Sequence, residues 1–351
     1  ILLYILGRGA WLIFFRLKDK RLRGLTAGLL AGIAGIVVAS YANEIFGQIP
    51  TGVIMYMSMS FVFLAPSYDR ELAERRLESD ISVNYNGLEL TCRMVDSLLR
   101  WNTVPTEIIV VDNGSRRDEA AELRRLYPML TVLRSERNLG FAGGNNLAIR
   151  AARGRYLLLL NNDTEIEADG LGHLCRTLDD HPEAGAVCPK IRFFQPPRNI
   201  QFAGYEPLTS ITLRNALIGF GQPDDGRFDT PRETPYAHGA AMMVRRETLE
   251  KAGPMPEIYF LYYEELDWSV RIAERGWTIR YDPRCTVYHK ESATTGAESP
   301  LRTYYLTRNR LLFGWRNRRG AARLLTIVYQ LCMALPKQML TTFLRSRRDL
   351  S

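Results

Sequence analysis

Two acidic clusters carry the chemistry open to this sequence. One is Asn161-Asn162-Asp163, directly after the apolar run Tyr156-Leu157-Leu158-Leu159-Leu160. The other is Glu264-Glu265-Leu266-Asp267, directly after Tyr259-Phe260-Leu261-Tyr262-Tyr263. A short, wholly apolar run reads as a buried parallel strand, and ligands of open α/β sheets gather beyond the carboxyl ends of such strands. Asp163 is therefore expected where a nucleotide and a hard divalent cation, Mg2+ or Mn2+, would meet, since such cations take one or two carboxylates plus phosphate oxygens. The second cluster can supply a base. Simple structural uses compete: Asp and Asn cap helices, and acids favour a helix start. The apolar residues before Glu264 argue against a fully solvated helix start.

The elements that must position these clusters follow from periodicity. From Asp80 onward, short apolar runs alternate with amphipathic helical stretches, the pattern of βαβ units. Ile81–Val83 reads as a first strand, 107–111 as a second, Leu130–Arg134 as a third and Tyr156–Leu160 as a fourth. Leu88–Trp101, Arg117–Tyr127 and Asn145–Arg153 read as the helices between them, with 138–146 a glycine-rich loop. Asn84, Asp112 and Asp163 then lie along one sheet edge, where Asp112 could accept hydrogen bonds from a base or ribose. Gly140, Gly143 and Gly144 allow close backbone approach to a ligand. No Gly-Lys-Ser/Thr follows them, and the spacing is not GxGxxG, so neither phosphate-loop class applies.

The 351 residues carry a net charge of +8, but eleven of the Lys and Arg fall in 301–351 against one acid, Asp349. The basic surplus is local and indicates a surface-directed tail rather than a nucleic-acid footprint. Gly24–Ala42 and Ile45–Tyr68 carry no charge, and each is long enough, at about 20 residues, to cross a bilayer. Between Arg16 and Arg23 stand five bases and one acid, which marks that loop as cytoplasmic. Ile1–Phe15 reads as part of an earlier span with a truncated start. The expected organisation is a transmembrane helical segment over 1–66 (spans about 1–15, 24–42 and 49–66) and a charged linker helix over 67–79. A catalytic domain over 80–315 and a basic amphipathic tail over 316–351 complete it.

The polar runs together resemble family 2 glycosyltransferases of the GT-A fold, in their rhamnosyltransferase-like branch. The matching residues are 83–87, 109–115, 138–146, 160–164, 238–246, 263–268 and Val287-Tyr288-His289, in order and spacing. The first strand is about three residues shorter than such enzymes usually show. Residues 43–52 and the span after them resemble the terminal membrane part of O-antigen ligase or polymerase proteins. The resemblance implies a Rossmann-like mixed α/β sheet preceded by transmembrane helices and followed by an amphipathic helical tail. It implies nucleotide-sugar contacts from Asn84, Tyr85, Asp112, Asn113, Gly140, Asn145, Asn161 and Asp163. Asp163 and His289 would hold the metal. Glu265 would be the general base of an inverting transfer, with Glu264 and Asp267 orienting it or raising its pKa. Gly239, His238 and Trp268 would face the acceptor.

The implied partners are a dTDP-, UDP- or GDP-sugar, a lipid-linked or polysaccharide acceptor and a membrane, with no nucleic acid. The implied setting is the bacterial inner membrane, with the catalytic domain on its cytoplasmic face. A sugar-phosphate nucleotidyltransferase would want a glycine- and Arg/Lys-rich loop after the first strand, where this chain has Asn84-Tyr85-Asn86-Gly87. A non-catalytic membrane scaffold with a degenerate transferase domain would be favoured only by the short first strand and by Asn161 in place of an acid.

Overall fold

The computed structural model describes residues 2–18, 22–31, 33, 60, 62–66, 77–290 and 300–337. The chain divides into two compact units, Ile1–Leu77 and Glu78–Ser351. In the first, α1 (Leu2–Phe15) is followed by helical residues 22–31 and 62–66. Leu12, Leu17, Leu22, Leu30, Val62 and Ala65 form its small core. Among the described residues no helix is long and apolar enough to cross a membrane. α1 has 14 residues and so rises about 21 Å, short of a hydrocarbon layer of about 30 Å. The transmembrane helices expected ahead of the sheet are thus not seen in what is described. The spans expected over 24–42 and 49–66 and the linker helix over 67–79 lie largely outside the described residues, and residues 43–52 wholly so.

The second unit is built on one mixed sheet. Its strands are β1 (Glu78–Asn84), β2 (Thr106–Asp112), β3 (Thr131–Arg134), β4 (Tyr156–Leu160), β5 (Thr164–Glu165), β6 (Ala184–Phe193), β7 (Ile200–Phe202), β8 (Arg232–Glu233), β9 (Ala241–Arg245) and β10 (Thr278–His289). The main order is β3-β2-β1-β4-β9-β6-β10-β5. The first four strands run parallel. β9 is antiparallel to both β4 and β6, and β10 is parallel to β6. β4 is buried throughout, as its unbroken apolar run requires of a strand covered on both faces. Helices α2 (Leu88–Trp101), α3 (Glu119–Leu126), α4 (Gly140–Ala151), α5 (Leu171–Asp180), α6 (Arg246–Ala252), α7 (Glu264–Glu274), α8 (Pro300–Asn317) and α9 (Gly320–Tyr329) complete the unit. α2 buries Thr91, Met94, Val95 and Leu98, the one-sided stripe of an amphipathic helix. α3 starts where Asp118 Oδ1 accepts the amide of Ala121 at 3.0 Å.

Two sequence expectations need correction. β1 is not short: it spans seven residues, because Glu78, Ser79 and Asp80 pair with Thr106, Glu107 and Ile108. These residues hide from a hydropathy reading because they are polar, yet all three are buried. Glu78 is held by Arg155 Nε at 2.9 Å and by the amide of Tyr156 at 2.8 Å. Second, 138–146 is not an open loop before a helix at Asn145. α4 already begins at Gly140, which Asn138 Oδ1 caps at 2.8 Å. A Cβ on Gly144 would lie 2.7 Å from Val83 Cγ1, so this glycine serves close packing of α4 on β1.

Buried acids at the start of β1 make stability depend on pH. Burial, with the neighbouring Glu78, raises the Asp80 carboxyl to about 8; burial, against Arg155, raises Glu78 to about 7. Both folded-state values exceed the unfolded ones, so their contribution is fully present below about pH 4 and is lost as pH rises through 7 to 8. Asp80→Asn removes the larger share of this loss. It is expected to stabilise the protein at pH 8 by on the order of 2 kcal/mol and to change little at pH 4, as read by urea melts at the two pH values.

Candidate active site

The parallel half of the sheet stops at β4, and the residues of both acidic clusters lie toward the end where β4 meets β9. Leu160 pairs with Ala241, and the amide of Asn161 donates to Ala240 O at 2.9 Å. The end of β4 therefore lies against the start of β9. Asp163, two residues on, is 7 % exposed. Its Oδ1 lies 3.2 Å from His289 Nε2 yet makes no hydrogen bond. β10 delivers His289 through its pairing with Thr164 of β5. The other ring nitrogen, Nδ1, is 2.8 Å from Oε1 of buried Gln201. Donation from Nδ1 to that amide oxygen leaves the Nε2 lone pair facing Asp163.

Glu265 enters from α7. A Cβ on Gly239 would stand 3.8 Å from the Glu265 carboxyl carbon, ordinary contact distance, which places the carboxyl beside the residues just before β9. Glu265 is half-buried, whereas Glu264 is 2 % exposed with its Oε2 unpartnered. Burial raises Glu265 to about 7. Burial, then the charge of Glu265, holds Glu264 well above the usual carboxylate range. Of the two, Glu265 can exchange a proton with a ligand near neutral pH, and Glu264 is a buried neighbour whose neutral form is favoured. Glu265 lies beside Gly239, and the next residue, Ala240, accepts the amide of Asn161, two positions before Asp163, so both clusters lie toward the junction of β4 and β9.

Several expected site residues do other work. Asp267 is 1 % exposed, and its Oδ2 accepts Tyr259 Oη at 2.7 Å, Arg316 Nε at 2.9 Å and Asn317 Nδ2 at 3.0 Å. Burial alone would raise this carboxyl, but Arg316 and the two neutral donors outweigh it and hold it below its usual value. Asp267 is an ionised anchor, not a base. Trp268 does not face an acceptor: it is 1 % exposed in the main core, with Nε1 donating to Gly253 O at 2.9 Å. Asn84 has no exposed surface, and its amide is spent on Glu119 at 2.7 Å and Thr91 at 2.8 Å. Asn145 Nδ2 is turned back on Phe141 O within α4.

Asn113 is buried and ties the glycine-rich turn: Nδ2 reaches Gly140 O at 3.0 Å, and Oδ1 accepts the amide of Leu139 at 3.0 Å. Gly140 itself takes φ +75, and a Cβ there would collide with the carbonyl oxygen of Phe260. Tyr85 and Asn161 are half-buried at the ends of β1 and β4. Asp112, at the end of β2, accepts the amide of Ser115 on Oδ1 at 3.1 Å, while its buried Oδ2 has no hydrogen-bond partner. Arg134 Nε stands 3.8 Å from that oxygen, an ion pair without a hydrogen bond, so the acceptor keeps room for a base or ribose. His238 accepts the amide of Ala240 on Nδ1 at 3.1 Å and stacks on Tyr205. Burial, then His289, lowers it to about 3, so it is a neutral ring at the edge of the crevice. Sequence reasoning missed Gln201, which no motif announces, and Asn309 and Arg316, which lie in α8, about fifty residues beyond what they hold.

A family model described as Glycosyl transferase family 2 matches residues 80–253. The chain is similar to the O-antigen biosynthesis protein RfbC of Myxococcus xanthus, 28 % identical over 236 residues, 62 % of this chain and 18 % of that protein. It is similar to the N-acetylglucosaminyl-diphospho-decaprenol L-rhamnosyltransferase of Mycobacterium tuberculosis, 24 % identical over 242 residues, covering 62 % and 77 %. In fold it resembles GalNAc-T7, solved with UDP, GalNAc and Mn2+, at a TM-score of 0.53 and 17 % identity over 72 % of this chain and 54 % of that one. The chain thus spans under a fifth of RfbC and about half of GalNAc-T7. Residues 80–253 match the model of a glycosyl transferase family 2 domain, and the mixed sheet that carries them is similar in fold to that of GalNAc-T7.

Proposed function

We propose that this chain is an inverting glycosyltransferase that moves a sugar from a nucleotide-sugar donor to a hydroxyl of a lipid-linked or polysaccharide acceptor. The observation that carries the reading is Glu265: one half-buried carboxyl, raised to about 7, beside Gly239 near the start of β9, the strand whose first residue pairs with the end of β4 ahead of Asp163. The Mycobacterium relative, named for rhamnosyl transfer to a diphospho-decaprenol, supports a lipid-linked acceptor. Full-length β1 removes one of the two features that favoured a degenerate scaffold.

The chain's own groups account for the proton. Glu265, ionised, takes the proton of the acceptor hydroxyl as its oxygen forms the new bond to the anomeric carbon. The bond from that carbon to the donor phosphate breaks in the same step, and the electron pair leaves with the nucleoside diphosphate. One displacement inverts the carbon and needs one base; a glycosidase would need two opposed carboxyls. Asp112 would receive the nucleotide, and the turn at Gly140 would border the donor. Asp163 and His289 fit a divalent metal, because their facing atoms converge at 3.2 Å without bonding to each other and because Mn2+ accepts imidazole as well as carboxylate. Such an ion would supply charge neutralisation for the departing diphosphate. Among the described residues no third acid, His or Cys joins them, so phosphate oxygens would complete the shell.

We also propose that the reaction runs at the cytoplasmic face of a bacterial inner membrane. α9 and the turn after it expose Leu324, Leu325, Val328, Leu331 and Met333, with Arg319 and half-buried Arg323 among them. A basic, apolar face of this kind suits an anionic lipid surface.

Three outcomes test the reading. Glu265→Gln should cut transfer by about 10³-fold while donor binding by calorimetry survives; retained turnover would move the base to Glu264. In the unaltered protein, kcat/KM should rise with pH and level off above about 7, because only the ionised carboxyl accepts a proton. Asp163→Ala should weaken Mn2+-dependent donor binding by about tenfold or more, and an unchanged Mn2+ titration would contradict the metal assignment.

A further inference from the structure

The proposed base is reached through a strained loop. Residues 257–263 run from a short 3-10 turn (Glu257–Tyr259) to the first residue of α7. Within them Phe260, Tyr262 and Tyr263 have φ of 69, 68 and 77. None is glycine, and each such residue costs on the order of 1 kcal/mol, so the loop persists only if its surroundings over-determine it.

α8 supplies that constraint. Asn309 has no exposed surface. Its Nδ2 donates to three loop carbonyls, Tyr259 O at 3.0 Å, Leu261 O at 2.7 Å and Tyr262 O at 2.8 Å. Its Oδ1 accepts Arg308 Nη1 at 2.8 Å, and Arg308 also reaches Ile258 O at 3.0 Å. Two turns on, Arg316 and Asn317 close on Asp267, and the adjacent Arg310 reaches Tyr263 Oη through Nε at 2.9 Å. Few side chains fill this place: a carboxylate cannot donate, and an aliphatic group would take both amide donors away from the loop carbonyls, at about 1–3 kcal/mol for a buried group left unsatisfied.

We infer that Asn309 is a positioning residue for Glu265, holding the strained loop so that the carboxyl stays beside Gly239 and shielded from water. The inference rests on the reading of Glu265 as the base. Asn309 is far from Glu265 in sequence and acts on it only through the backbone of the loop. The titratable groups that face Glu265 are Glu264 on its own helix, Tyr263 at the end of the loop, and Tyr205 from the segment after β7. None of them is bonded to Asn309, so a change in Glu265 on altering Asn309 reports the loop.

The test compares Asn309→Ala and Asn309→Asp with the unaltered protein. Donor turnover in the presence of Mn2+, donor binding, and the titration of the Glu265 carboxyl in 13C-glutamate-labelled protein are measured. The expected result is a fall in kcat of about thirty- to hundredfold, donor KM within about twofold, and a Glu265 titration moved down from about 7 toward the ordinary carboxylate range as water enters. A folded variant with unchanged kcat and unchanged titration overturns the assignment, as does a loss of donor binding in step with kcat. Should neither variant fold, Arg308→Gln, at a half-buried position, removes two of the same loop contacts. It should lower kcat about fivefold and move the titration in the same direction, and no movement overturns the role. If the unaltered protein transfers no sugar, the functional reading fails, while the carboxyl titration still decides whether Asn309 governs Glu265.

Discussion

The arrangement depends on one strand pairing. β9 runs antiparallel to β4, with Leu160 against Ala241, and this turns the beginning of one strand toward the end of the other. Without it, the acid that follows β4 and the carboxyl lodged beside Gly239 would sit at opposite edges of the sheet. The parallel half ends at β4, so the crevice forms where the sheet changes direction, as in other open α/β folds. The pairing holds because both strands are apolar and buried, from Tyr156 to Leu160 and from Ala241 to Val244. Site geometry is thus a by-product of core packing.

A second theme is the use of polar side chains as internal fasteners. Asn84, Asn113, Asn145 and Asn162 crowd the carboxyl edge, and each donates to a partner within the chain. Buried amides must be paired, and pairing them fixes the loops around the crevice. Among the described residues of this edge, Asp163 Oδ1 has no hydrogen-bond partner and Asp112 Oδ2 only the ion pair with Arg134. An edge that satisfies most of its polar atoms internally presents the rest to a ligand in a fixed position.

Much of this was legible in the sequence. β4 and α2 have the boundaries their patterns implied, because a five-residue apolar run and a one-sided stripe are strong local signals. Asp163 and His289, paired in expectation only through the family resemblance, stand together; periodicity says nothing about which strand ends meet. The misreadings share a cause. Glu78 and Asp80 looked unlike strand residues because a partner 77 positions away, Arg155, is what makes a buried Glu78 tolerable. Asp267 looked like part of a catalytic cluster, yet it faces the opposite side of α7 from the crevice, toward Arg316. Trp268 looked like a sugar platform and is core. In each case a local pattern met a long-range contact that it could not contain.

The contact between Gly140 and Phe260 carries a kinetic implication. The amide of Phe141 donates to Phe260 O at 2.8 Å, so the turn assigned to the donor and the loop that leads to the base are fastened backbone to backbone. A ligand that settles the first also settles the second. If the chain transfers a sugar as proposed, this fastening would favour an ordered sequence, in which the nucleotide partner arrives first, stiffens the far wall, and only then lets the hydroxyl partner find a finished surface.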